Sequence, residues 1–221
     1  MYPRKLAKST KNSLYDLLKQ QLDRGENCWY YNARAFVSTV SSFITTIMKE
    51  AVVPMIYTVT LNPALDKTVE IPNLALDTVN RITKMRTDPG GKGINVSKVI
   101  AKLGGTSKAI GILAGNSGRA IQDALDSEGL AHNFRFVPGE TRTNLKVIDP
   151  ENHTNTDINE PGIEVDAPEL TALLYDLLKE LKRGDIVVLA GSLPKGAPKD
   201  TYYTWVESCK KAGAKEIGRA H

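Results

Sequence analysis

Leu170, Leu173, Leu174, Leu177, Leu178 and Leu181 recur three and four residues apart, the spacing that gathers apolar side chains on one helical face. Asp166 and Glu169 have capping-box spacing, Pro168 sits in the first turn, and Gly184 closes the run, so a helix is predicted from Asp166. Directly after it, Ile186-Val187-Val188-Leu189-Ala190 is continuously apolar, as in a strand covered on both faces. The same succession recurs along the chain. Ile56–Leu61 reads as a strand broken by Asn62-Pro63, and Lys108–Leu113 as a strand entering Ala114–Gly118. Arg119–Ser127 and roughly Asp200–Ala212 read as helices. Strand, glycine turn and helix in alternation predict an α/β layer fold with a largely parallel sheet.

Shorter alternating runs stand apart from that rhythm. Lys67–Ile71 and Asn80–Met85 read as strands joined by a turn outside the main sheet; Asn133–Val137, Asn144–Ile148 and Thr154–Ile158 read as further strands. Residues 1–54 differ in character, with helices predicted over Ser13–Arg24 and Ala35–Ala51 and no recognisable chemistry. Met48-Lys49-Glu50-Ala51 precedes Met55, and a Lys-Glu codon pair can read as a ribosome-binding sequence. The expectation is that Met55 is the natural start and residues 1–54 an extraneous extension, partly helical or disordered.

Asp88-Pro89-Gly90-Gly91-Lys92-Gly93-Ile94-Asn95-Val96-Ser97 reads as a glycine-rich turn running into a helix. Ile94, Val96, Val99, Ile100 and Leu103 would line that helix as far as Gly104-Gly105. A turn of this kind offers unpaired backbone N–H groups and the positive end of a helix to an anion, and Lys92 adds a full charge. The nucleotide P-loop pattern is absent. The dinucleotide fingerprint matches at Gly91 and Gly93 but has Val96 in its third place. That spacing, with no acidic residue ending a second strand, disfavours a dinucleotide-binding oxidoreductase. Asp66 follows the first strand closely, at the end of the sheet where open α/β folds collect ligands.

Composition narrows the class only a little. The 221 residues are 41% hydrophobic and 24% charged, with a net charge of +4 spread along the chain, so no nucleic-acid footprint is expected. Cys28 and Cys209 lack the spacing of a zinc site or a disulfide framework, which suits a reducing cytoplasm. Ala35–Met48 is too short to span a bilayer, so no membrane partner is expected. The three histidines make no catalytic constellation, and no metal ligands can be assigned.

Five segments carry a family resemblance: Thr60–Asp66, Val79-Asn80-Arg81, Gly90–Val96, Gly139–Asn144 and Ala190–Gly196. In this order, Met55–Lys215 resembles the amino-terminal half of a ribokinase-like (PfkB) carbohydrate kinase, in the branch of 1-phosphofructokinase and tagatose-6-phosphate kinase. The resemblance implies a three-layer α/β core with a small β lid, here strands within about 67–85 and 144–158, that covers the sugar and pairs two subunits as a homodimer. It implies ATP-dependent phosphorylation of a sugar phosphate, with Mg2+ carried largely on the nucleotide. The first candidate is conversion of fructose 1-phosphate to fructose 1,6-bisphosphate. Tagatose-6-phosphate kinase and a non-catalytic sugar-phosphate-binding protein are the alternatives.

By that resemblance Asp66 accepts hydrogen bonds from sugar hydroxyls. Gly91, Lys92 and Asn95 face the phosphate and its neighbouring hydroxyls, and Arg142, with Asn144 beside it, clamps the phosphate. Ser192 and Lys195 lie near the phosphate, and Arg81 belongs to the lid. The family's catalytic base sits in a late Gly-Ala-Gly-Asp motif, which this sequence does not contain. Residues 216–221 are expected to be an anomalous tail that supplies no apolar strand. This chain is therefore expected to lack turnover, and its sheet to be left with an unpaired edge.

Overall fold

The computed structural model describes residues 54–218; the helices predicted over Ser13–Arg24 and Ala35–Ala51 lie outside them. The chain divides into two units, of which Met1–Pro54 with Lys102–Gly104 is one. The other unit carries the strands. Its main sheet contains β1 (Ile56–Thr60), β4 (Ser107–Ala114), β5 (His132–Val137), β8 (Ile186–Leu189) and β9 (Lys215–Gly218). They lie in the order β5-β4-β1-β8-β9, every neighbour parallel. A second sheet, ordered β3-β2-β6-β7, joins β2 (Ala64–Glu70), β3 (Lys84–Gly90), β6 (Thr143–Asp149) and β7 (Thr154–Asn159). The helices are α1 (Lys92–Lys102), α2 (Gly115–Ser127), α3 (Ala167–Glu180) and α4 (Thr201–Lys211). Among the described residues no helix is long and apolar enough to cross a membrane.

Side-chain alternation sorts the helices onto the two faces of the main sheet. Val59, Ile110, Ile112, Val187 and Leu189 point to one face and pack with Leu170, Leu173 and Leu177 of α3 and Trp205 and Cys209 of α4. The other face takes Leu113 against Ile94 of α1 and Ile121 and Leu125 of α2. That is the three-layer arrangement expected. α3 begins as its sequence specified, with the Asp166 carboxylate accepting from Glu169 N at 3.0 Å. Leu177, fully buried under the sheet, is the position where truncation should cost most in this layer. Leu177→Ala is expected to lower stability by about 3 kcal/mol, read as a lower urea midpoint with an unchanged denaturant slope.

The second sheet is two-sided. Asp66, Asp88 and Asn144 share one face, because Asp66 pairs with Asp88 on β3 and with Asn144 on β6. The opposite face carries Val69, Val147, Met85 and Ile158. Val69 and Val147 are buried there, while Met85 and Ile158 are exposed.

Several boundaries differ from the sequence reading. Asn80–Met85 is mostly loop, and the strand is Lys84–Gly90 instead; Asp88-Pro89-Gly90 is thus strand rather than turn, and Gly91 alone (φ +123°) makes the bend into α1. Val99 and Leu103 of the predicted apolar face are not buried. α2 starts at Gly115, not Arg119, because the distant Glu140 caps it. The Glu140 carboxylate accepts from Asn116 N at 3.1 Å and Ser117 N at 2.5 Å, bonds that hold its pKa below the usual carboxylate value. The anomalous tail also needs correcting: Lys215–Gly218 forms β9 beside β8. Backbone pairing there did not require an apolar sequence.

Candidate active site

Strand order changes direction at β1, whose neighbours β4 and β8 follow it on opposite sides. The crevice outside the carboxyl ends of such strands is the natural ligand position in an open α/β sheet. Three features converge on it.

The first is the start of α1. Ile94 N donates to Thr60 Oγ1 at 3.1 Å, so the last residue of β1 caps the helix. A Cβ at Gly93 would lie 2.6 Å from the Val59 carbonyl oxygen, so glycine is what lets the helix start rest on the strand backbone. One at Gly91 would meet Thr60 Cγ2 at 2.6 Å. Lys92, the first residue of α1, is exposed, and Asn95 lies one turn on. Lys92 Cβ is 3.8 Å from where a Cβ on Gly191 would stand. The helix start and the loop leaving β8 are therefore neighbours.

The second is Asp66. It lies within β2 and accepts from Asn144 Nδ2 at 2.9 Å. Gly90 lies beneath its carboxylate so closely that a Cβ there would overlap it. Burial is the main cause that raises the Asp66 pKa, with Asp88 adding to it; the Asn144 hydrogen bond, Arg142 and Lys98 pull the other way without cancelling the rise. The carboxylate is thus kept short of solvation.

The third is Arg142. Its Nε donates to the Pro63 carbonyl at 3.4 Å, Nη1 to the Glu160 carbonyl at 3.4 Å and Nη2 to the Asn62 carbonyl at 3.3 Å. Burial lowers its pKa and Asp66 opposes that, yet a guanidinium stays charged. Of its five N–H groups these bonds use three, so among the described residues one on each Nη is left to take an anion. Asp66 and Arg142 are electrostatic partners, and Arg142 and the Gly91 bend both lie against Pro63. Of the predicted residues, Asp66, Asn144, Arg142 and Gly91 are thus linked at the end of β1, while Lys92 stands beside Gly191 of the loop after β8.

Ser192, on the loop after β8, reaches the same cluster by accepting from Asn62 Nδ2 at 3.3 Å. Lys195 does not join it: its ammonium pairs with Glu164 at 3.0 Å on the surface. Arg81 sits exposed in the β2–β3 loop with no partner recorded among the described residues, outside this network. The sequence reading missed Thr60 and Asn62. Thr58 and Thr60 are fully buried in an apolar strand, and two buried hydroxyls there were the available signal. Asn62 reads from the sequence only as a strand breaker.

Comparisons with known proteins identify the family. A family model described as pfkB family carbohydrate kinase matches residues 59–219. The 1-phosphofructokinase of Bacillus subtilis is 39% identical over 163 residues, covering 74% of this chain and 52% of the relative. That of Xanthomonas campestris is 40% identical over 162 residues, covering 72% and 50%. The chain spans about half the length of the curated relatives it matches. Escherichia coli phosphofructokinase-2 in complex with fructose-6-phosphate superposes with a TM-score of 0.71 at 30% identity, over 75% of this chain and 55% of that one. The same enzyme is known in a tetrameric inhibited form, with a TM-score of 0.71, 30% identity and coverage of 75% and 54%.

Proposed function

This chain belongs to the pfkB family of carbohydrate kinases, and on that premise we propose that it forms the sugar-phosphate side of an ATP-dependent phosphotransferase acting on fructose 1-phosphate. The observation that carries the reading is the convergence of Asp66, the α1 start and Arg142 on the crevice outside β1. Asp66, purely an acceptor when it is ionised, takes sugar hydroxyls. The two unused N–H groups of Arg142 take the phosphate, assisted by the Gly91–Lys92 helix start and its dipole. Asn95, Asn144 and Ser192 supply further polar contacts, and Lys195 and Arg81 would have to swing in from the surface. The naming of the curated relatives favours fructose 1-phosphate over tagatose 6-phosphate.

ATP is the phosphoryl donor in this reading and Mg2+ its companion. Among the described residues no group of three or more His, Cys, Asp or Glu side chains could hold a metal ion. These residues do not fit a protein-held cation, and no step is assigned to one. What this chain contributes is binding and orientation of the acceptor sugar. The test is calorimetric titration of the 221-residue protein with fructose 1-phosphate, tagatose 6-phosphate and free fructose. Saturable binding is expected, tightest for fructose 1-phosphate, without sustained ATP-dependent turnover. Equal affinity for free fructose would remove the phosphate role of Arg142, and steady turnover would remove the proposal of a binding half.

Self-association through the apolar face of the second sheet belongs to the same proposal. It is supported by the exposure of Leu76, Val79, Ile82, Met85 and Ile158 on that sheet and its β2–β3 loop. Met85→Lys puts a charge on the exposed β3 edge of that face. In sedimentation velocity it is expected to convert a dimer to monomer while leaving the thermal midpoint within a few degrees; an unchanged dimer would place the interface elsewhere.

A further inference from the structure

Asn62 joins the segment after β1 to the loop after β8, the two strands flanking the switch crevice. Its Nδ2 donates to Ser192 Oγ at 3.3 Å and to the Leu193 carbonyl at 3.3 Å. Leu193 O can only accept, so the amide nitrogen must face that loop. Its own carbonyl accepts from Arg142 Nη2. The side chain is 6% exposed, and its Oδ1 is buried without a hydrogen-bond partner among the described residues. That oxygen lies under Gly162, which has φ +92° and where a Cβ would overlap it and come within 3.2 Å of Arg142 Cδ. Asn62 and Arg142 together therefore join three segments: 62–63 after β1, 160–162 after β7 and 192–193 after β8. A strand break needs only the proline that follows. A buried amide that bridges two loops and leaves its oxygen unpaired needs another explanation.

We infer that Asn62 is a positioning residue that makes Arg142 and Ser192 a single phosphate-holding unit. The amide fixes the β8 loop against the β1 end, and its main-chain carbonyl, with that of Pro63, fixes the guanidinium. Anion contact at either partner is transmitted to the other through this residue. The inference rests on the sugar-phosphate reading above for its ligand but not for its geometry.

The test uses the full chain in two arms. Without ligand, hydrogen exchange is compared for the parent and for Asn62→Asp, which keeps the size of the side chain but turns an oxygen toward Leu193 O. Faster exchange is expected in both the 192–197 and 160–163 segments; unchanged exchange in both would overturn the inference. With fructose 1-phosphate, Ser192→Ala is expected to weaken binding about 10-fold in the parent and to have no further effect in the Asn62→Asp background. A purely structural Asn62 would lower the thermal midpoint yet leave the Ser192→Ala cost unchanged, and that additive outcome also overturns it. Should Asn62→Asp fail to fold, Asn62→Ala, which removes the donor without adding a charge, replaces it with the same expectations. If the parent binds no fructose 1-phosphate, the function proposal fails while the exchange arm still decides the role of Asn62.

Discussion

Asp66→Asn is expected to stabilise the fold and weaken the sugar site in the same protein. Burial holds the Asp66 pKa above its usual value. For an acid shifted this way the folded state binds the proton more tightly than the unfolded state. Stability therefore falls as pH rises from the unfolded value of about 3.9 through the raised folded value, and the full penalty is present at neutral pH. An uncharged amide removes that penalty. It can still accept from Asn144 Nδ2, as Asp66 does. The thermal midpoint at pH 7 should rise, and the gap between variant and parent should close as the pH approaches 4. Binding should move the other way. Losing charged hydrogen bonds to ligand hydroxyls costs about 1.5–3 kcal/mol, or roughly 10- to 100-fold in the dissociation constant of fructose 1-phosphate. In the parent, affinity should itself fall as pH drops through the raised value. A midpoint that falls at pH 7, or an unchanged affinity, would show that the carboxylate is structural.

Gly90→Ala is the second large effect, and it operates through the same carboxylate. Gly90 is buried on β3 opposite Ala64, and an added methyl would overlap the Asp66 carboxyl group. Asp66 has a short side chain already committed to Asn144, so it cannot yield without breaking that bond. Overpacking of this kind costs about 1–3 kcal/mol, and the displaced carboxylate should take ligand affinity down by at least as much as Asp66→Asn does. The control is the pair Gly90→Ala with Asp66→Ala. If the collision is with the carboxylate, the double variant should recover most of the stability lost by Gly90→Ala alone, measured by urea denaturation. Additive losses would locate the strain in the backbone of β3 instead.

The helices and strands that the pattern specified most fully are the ones whose signals are local. Asp166 capped α3 through Glu169, three residues away, and the leucines that follow bury one face. α2 was misjudged at its start because its cap, Glu140, comes from a loop more than twenty residues on. The glycine segment does bend into a helix, but one residue carries the bend. Its first three residues complete a strand whose partner, β2, had to be in place before they could pair.

Residue type and spacing by themselves determined the layered α/β class and a lysine-bearing helix start, while the sugar and phosphate roles of Asp66 and Arg142 came from the family resemblance. Only the tertiary structure decided which of those groups meet. Lys195 turned to Glu164, while Asn62, unremarkable as a letter in the chain, came to bridge β1 and β8. The reason is physical: helix faces and caps depend on neighbours a turn apart, whereas the crevice is assembled from strand ends that the parallel crossovers bring together from distant parts of the chain.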